Sequence, residues 1–208
     1  MLRVRTNMAR PPAIELDAPV RAVLNVQSLG LTDDQFLRLC SDNRDFRIEM
    51  SAQGELLIMP PPGSMTGRRN FLIVHRLAIW SEQDGTGVGF GADTGFTLPN
   101  GAKRGPDAAW MSRERWNGIP EEQREKLAPV CPDFVIELRS ASDRLSDVQA
   151  KMEEYIANGA RLGWLFDPFD NGVTIYRPGQ LPERIENPTV VHGDPVLPGF
   201  QFDFREIL

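Results

Sequence analysis

The sequence predicts a mixed α/β domain, with a central mixed sheet flanked by helices and extended by further antiparallel strands. Two observations carry that prediction. PDFVIELRSASD (132–143) and RLGWLFD (161–167) are apolar runs of strand length on either side of a helical pattern. A strand, helix, strand unit whose strands are both apolar implies a parallel pair joined by a right-handed crossover. Upstream, VGFGA, GFTLP and PDAAWM are three short strand-like segments divided by glycine and polar turns, the pattern of an antiparallel or mixed meander.

Taken in order, residues 1–28 show no sustained periodicity and carry Pro11, Pro12 and Pro19, so they read as an N-terminal arm or linker with room for one short element; residues 29–208 form the domain. Thr32 with Gln35 makes a capping box, followed by Phe36, Leu37, Leu39 and Cys40, which predicts a helix from about Asp33 to Asn43. FRIEM and ELLIM flank Ser51 to Gly54 as a hairpin, stopped by PPPG. A helix from about Thr66 to Gln83 follows, with Phe71, Val74, Leu77, Ala78 and Trp80 as its apolar face. SRERWNGIPEEQREKLAP reads as a polar surface excursion with one or two helical turns. After the strand at 133–139, a helix from about Asp143 to Asn158 carries the stripe Leu145, Val148, Met152, Tyr155 and Ile156 and ends at Gly159. VTIYRP pairs back as a hairpin across DPFDNG, and ERIEN, TVV and FQFDF are additional short strands.

With 208 residues, 41% hydrophobic and 25% charged, the chain has a globular profile and can bury a substantial core. No apolar stretch approaches the roughly 20 residues of a membrane span, and the N-terminus lacks the apolar core of a signal peptide, so a cytoplasmic protein with no membrane partner is expected. Cys40 and Cys131 form no CxxC and read as reduced structural thiols. A net charge of −6 argues against coating nucleic acid by bulk electrostatics. It leaves room for a nuclease, whose metal site is itself acidic. Arg68, Arg69, Lys103, Arg104, Arg139 and Arg144 lie close in sequence to the candidate acids; solvated surface charge is the default for most of them, a shared basic rim the alternative.

Glu137 is the most informative residue. It stands in mid-strand among Phe134, Val135, Ile136 and Leu138, the composition of a strand covered on both faces. An unpaired ionised carboxylate there costs several kcal/mol of desolvation, so Glu137 requires a metal ion, a cation, or both. Asp107, in GPDAAWM, has a similar setting, and two such strands would aim both acids at one point. On the helix that leaves the Glu137 strand, Lys151 lies three residues after Val148 and four before Tyr155, at the border of the buried stripe. Taken singly, Asp107 reads as a turn aspartate and Lys151 as a snorkelling side chain. Together, two carboxylates and a lysine are the parts needed for phosphodiester hydrolysis, and oxygen-only ligands favour Mg²⁺ or Mn²⁺ over zinc. Glu49 shares a face of RIEM with Arg47, opposite Phe46, Ile48 and Met50, and reads as solvent-facing or as a supporting ligand. His75 and His192 have no catalytic partner at motif spacing, and Ser140 and Ser142 read as turn and N-cap hydroxyls.

GPDAAW, CPDFVIELRSASD, KMEEYIANGARLGWLFDP and VTIYRPG, in this order and spacing, resemble the Uma-type family of restriction-endonuclease-like proteins. The resemblance runs from about Leu31 to Tyr176 and includes RIEMSAQGELLIMPP and NGAKRGPDAAW. It implies the PD-(D/E)xK nuclease fold, a mixed sheet between helices with an acidic pair on adjacent strands binding Mg²⁺ (or Mn²⁺), and DNA as partner. Asp107 then looks like the aspartate of the PD motif and Glu137 like the (D/E) of (D/E)xK. The third position is Arg139, whose fixed, permanently charged guanidinium does not replace lysine freely. Relatives of the fold can supply the lysine from the following helix in a K/QxxxY arrangement, which Lys151 and Tyr155 match, leaving Arg139 to contact a phosphate. The expected activity is a Mg²⁺-dependent endodeoxyribonuclease, acting as a homodimer where both strands are cut. The alternatives are a nuclease-fold DNA-binding module without turnover and a homo-oligomeric interaction protein.

Overall fold

The structure, a computed structural model, describes residues 22–208. Most of the arm read over residues 1–28 therefore lies outside the described residues. Ala22–Asn25 (β1) is the first strand, and Asp33–Asp42 (α1) follows with the capping box that Thr32 and Gln35 predict: the Gln35 N–H donates to Thr32 Oγ1, and the Thr32 N–H to Gln35 Oε1. Arg47–Met50 (β2) and Glu55–Met59 (β3) form the expected hairpin, and β1 pairs along the other side of β3.

Ser64–Asp84 (α2) ends at Gly85, whose φ of 68° is open to glycine at little cost. Its buried ridge is Ile73, Leu77 and Ser81, at i, i+4 and i+8, with Val74 and Trp80 beside it. Phe71, expected on the apolar face, is 69% exposed. At about 100° per residue it lies roughly 200° round the helix from Ile73.

Gly87–Gly91 (β4) and Ala108–Ser112 (β7) pair antiparallel, whereas Phe96–Thr97 (β5) leaves them and pairs with Lys103–Arg104 (β6) in a second sheet. The three-strand meander is thus split between two sheets, Phe96 being drawn away into a fully buried position. Arg113–Asn117 (α3) and Glu121–Arg124 (α4) are the two turns of the polar excursion. Phe134–Leu138 (β8), Leu145–Ala157 (α5) and Leu162–Asp167 (β9) form the predicted unit, with β8 parallel to β9 and Phe134 opposite Leu162. Gly172–Tyr176 (β10), Glu183–Glu186 (β11), Val190–His192 (β12) and Gln201–Asp203 (β13) complete the strands.

The main sheet runs β11-β10-β9-β8-β7-β4, mixed because only β8 and β9 are parallel; the second runs β1-β3-β2-β6-β5, and β12 pairs with β13. Every residue of β8, β9 and β10 is buried, as strands covered on both faces require. Alternation divides them between two cores. Phe134, Ile136 and Leu138 face α2 and the C-terminal Phe200, Phe202 and Phe204. Val135 faces α5 through Val148, Met152 and Tyr155, alongside Ala109 and Met111 of β7. Glu137 shares the parity of Val135, so its side chain emerges beneath α5. Among the described residues no helix is long and apolar enough to cross a membrane.

Trp110 packs against Gly87 so closely that a Cβ there would stand 2.2 Å from the indole and 2.4 Å from Met111 O, whereas at Gly91 a Cβ would meet nothing nearer than 3.7 Å. Gly87→Ala should therefore destabilise by about 1–3 kcal/mol, and Gly91→Ala should leave the urea midpoint nearly unchanged. Equal midpoints for the two variants would contradict this packing.

Candidate active site

The antiparallel register of β7 and β8 pairs Ala108 with Ile136, so Asp107, just before β7, lies at the end of β8 that carries Glu137. The Asp107 N–H donates to Ile136 O at 3.0 Å and the Leu138 N–H to Asp107 Oδ2, so Asp107 is bound to the residues on either side of Glu137. Two carboxylates brought to one place repel, and on top of burial Asp107 accordingly adds to the rise in the Glu137 pKa. Both residues are about 5% exposed, so water screens little of that repulsion.

Donors gather round each acid. Asp107 Oδ2 accepts from the Leu138 N–H at 2.8 Å, and Oδ1 from Arg47 Nη1 at 3.0 Å and Asn70 Nδ2 at 3.2 Å. Glu137 Oε1 accepts from the Tyr155 hydroxyl at 3.1 Å and lies 2.8 Å from Lys151 Nζ. Lys151 and Tyr155 are one turn apart on α5, which places both over the end of β8. The same Nζ reaches Glu49 Oε1 at 2.8 Å and Gly105 O at 3.2 Å. Glu49 also accepts from Arg104 Nη1 at 3.3 Å and from the Gly105 N–H at 3.2 Å. Apart from Tyr155 and Gly105, which lie behind it, these groups line a cleft of about 420 Å³ between the two sheets and α5.

The two glutamates flanking Lys151 are driven apart in acidity. Burial pushes the Glu137 carboxyl up to about 7, with Asp107 adding to the rise and Lys151 only partly offsetting it. Burial acts on Glu49 too, but Lys151, Arg47 and Arg104 outweigh it and hold the carboxyl down at about 2. Tyr155 is raised well above the ordinary phenol range, by burial first and then by Glu137, so it stays a donor.

Asp107, Glu137, Lys151, Tyr155 and Glu49 are thus brought together. Glu49 is not solvent-facing: it is 4% exposed, because the polar face of β2 is the one that turns into the cleft. Arg139 does not line the cleft; its Nη1 pairs with Asp167 Oδ2 at 2.8 Å. Lys103 and Arg104, offered above for a basic rim, are internal, Lys103 paired with Asp33 and Arg104 with Glu49 and Glu154. Ser140 is a turn residue bonded to Asp143, but the residue capping α5 is Arg144, not Ser142. Arg47 and Asn70 were missed. Arg47 had a signal, its shared parity with Glu49; Asn70, one of many polar residues on a long helix, had none.

Among the described residues no group of three or more carboxylate, histidine or cysteine side chains is arranged to hold a metal ion. The two acids still fit a hard divalent cation in chemistry: both donors are oxygens, Mg²⁺ commonly takes only one or two carboxylates and keeps water for its other positions, and a cation between them would relieve the strain that raises Glu137.

The protein family Uma2, described as "Putative restriction endonuclease", matches residues 33–205. None of the curated proteins matches. The fold is similar to the crystal structure of a "putative nuclease belonging to DUF820" from Anabaena variabilis ATCC 29413, at 22% identity and a TM-score of 0.70, covering 85% of this chain and 97% of that one.

In the cation-free protein Glu137 holds a proton between about pH 4.5 and 7 that the unfolded chain has released, so its contribution to stability falls as pH rises through that window. The size is about 3 kcal/mol. In EDTA, the unfolding free energy of wild type relative to Glu137→Gln should drop by that order from pH 4.5 to 8. A difference that stays flat across the window would contradict the buried carboxyl.

Proposed function

Since the chain belongs to the Uma2 family of restriction-endonuclease-like proteins, we propose that it is a Mg²⁺- or Mn²⁺-dependent endodeoxyribonuclease whose working groups are Asp107, Glu137 and Lys151. The observation that supports this reading most is the pair of buried acids in one cleft with an ammonium 2.8 Å from one of them.

Asp107 and Glu137 would hold the cation, which when bound supplies an acidified water and countercharge for the scissile phosphate. Asn70, Arg47 and the Leu138 N–H fix the Asp107 carboxylate by three hydrogen bonds, and Tyr155 fixes that of Glu137. Lys151 donates to the attacking water and brings positive charge to the oxygens of the pentavalent phosphorane. Glu49 keeps the ammonium in place without itself taking a proton, since it stays ionised far below neutrality. Lys151 thus fills the role that Arg139, turned to Asp167, does not. Two copies acting together would cut both strands of a duplex.

Supercoiled plasmid should be nicked with Mg²⁺ or Mn²⁺ and left intact in EDTA. Asp107→Ala, Glu137→Ala and Lys151→Ala should each lower the rate by about 100-fold or more, and Arg139→Lys by far less. Equal rates for wild type and the three alanine variants would remove the assignment.

A further inference from the structure

Beside the acidic pair stands a second group with no part in the chemistry above. Phe169, in the turn between β9 and β10, is 53% exposed. The guanidinium carbons of Arg69 and Arg139 lie over its ring at 5.8 and 5.7 Å from the centroid. One fully buried carboxylate organises the group: Asp167 Oδ1 accepts from the N–H groups of Phe169 and Asp170 at 3.1 and 3.3 Å, and its Oδ2 from Arg139. The turn that carries the ring and the guanidinium beside it are therefore held by a single acid.

A cluster that served packing alone would cover its aromatic ring and satisfy its donors. Here Phe169 is half exposed, and the Nε atoms of both arginines are buried with no hydrogen-bond partner among the described residues. Arg69 has no carboxylate in salt-bridge range among the described residues, so its charge is uncompensated by pairing. Both elements lead to the acids: Arg139 is two residues beyond Glu137, and Arg69 precedes Asn70, which donates to Asp107.

We infer that Arg69, Phe169 and Arg139 form a binding site for an unpaired nucleotide next to the acidic cleft, with the guanidiniums on the phosphate and the phenyl ring against the base. This rests on the nuclease reading and names its substrate as a strand with single-stranded character at the cut. Guanidinium forks match phosphate oxygens, and a phenyl ring stacks on any base irrespective of sequence. Bases inside a continuous duplex are stacked on each other and offer the ring no face.

The test is fluorescence anisotropy in EDTA, with a labelled oligothymidylate and a labelled blunt-ended duplex without unpaired nucleotides as probes. Wild type should bind the single strand more tightly. Phe169→Ala should weaken single-strand binding about tenfold while leaving the duplex unaffected. Phe169→Leu, which keeps the bulk but not the π face, should lose nearly as much. Arg69→Gln should reduce the salt slope of log K on the single strand by about 0.7, one phosphate contact. Thermal midpoints near that of wild type establish that the variants are folded. Single-strand affinity that is the same in wild type, Phe169→Ala and Phe169→Leu overturns the inference, as does a preference of wild type for the duplex. Plasmid nicking separates the two claims. If nicking depends on Asp107 and Glu137 but Phe169 does not affect single-strand binding, the nucleotide site falls and the nuclease stands; if Phe169 governs single-strand binding and wild type never nicks, the reverse holds.

Discussion

Two buried carboxylates, Asp107 just before β7 and Glu137 on β8, converge on one cleft, and most of what surrounds them follows from the repulsion this creates. Their placement is set by the β7–β8 ladder, which cannot slip by one residue without turning Ala109 and Val135 out of the core beneath α5. The acids are therefore held together by the packing of the residues around them, not by any attraction of their own. Countercharge has to come from elsewhere, and it comes from Arg47 on β2 and Lys151 on α5. Without such partners both acids could be buried only by holding protons.

That requirement gives the second sheet its place. β2 carries Arg47 and Glu49 into the cleft, β6 carries Arg104, and the three interlock with Lys151 and Glu154 of α5. Glu49 is the pivot: it takes charge from three cations and so stays ionised, while Glu137, sharing only Lys151 closely, titrates near neutrality. A lysine between two acids of such different strength keeps an ionised partner in Glu49 whichever state Glu137 adopts. Deep in the cleft, desolvation and attraction to cations oppose one another, and the number of cationic partners separates the two glutamates.

Much of this was legible in the sequence. The apolar run around Glu137 announced a strand covered on both sides, and such a strand with a carboxylate in it demanded a partner. The α5 stripe placed Lys151 at its border, and the two apolar strands around α5 gave the parallel pair. What could not be read had physical reasons. Period-2 alternation separates two faces but does not say which is inside, so Glu49 and Arg47 were left open to solvent when their polar face lines the cleft. Strands of two residues, such as β5 and β6, are too short to carry a pattern, and the split of the meander went unseen. Phe71 was grouped with the α2 core because it is large and apolar, although helical geometry puts it on the far side of the buried ridge.

The central claim is that the two buried acids form a site for a divalent cation. Calorimetric titration of Mn²⁺ at pH 7, in two buffers of different ionisation enthalpy, tests it directly. With the Glu137 carboxyl raised to about 7, each ion bound should release about half a proton, and less at higher pH. Both the binding and the release should be lost in Asp107→Asn and Glu137→Gln. Mn²⁺ binding that persists unchanged in both variants, or folded wild type that binds no Mn²⁺, would contradict the account.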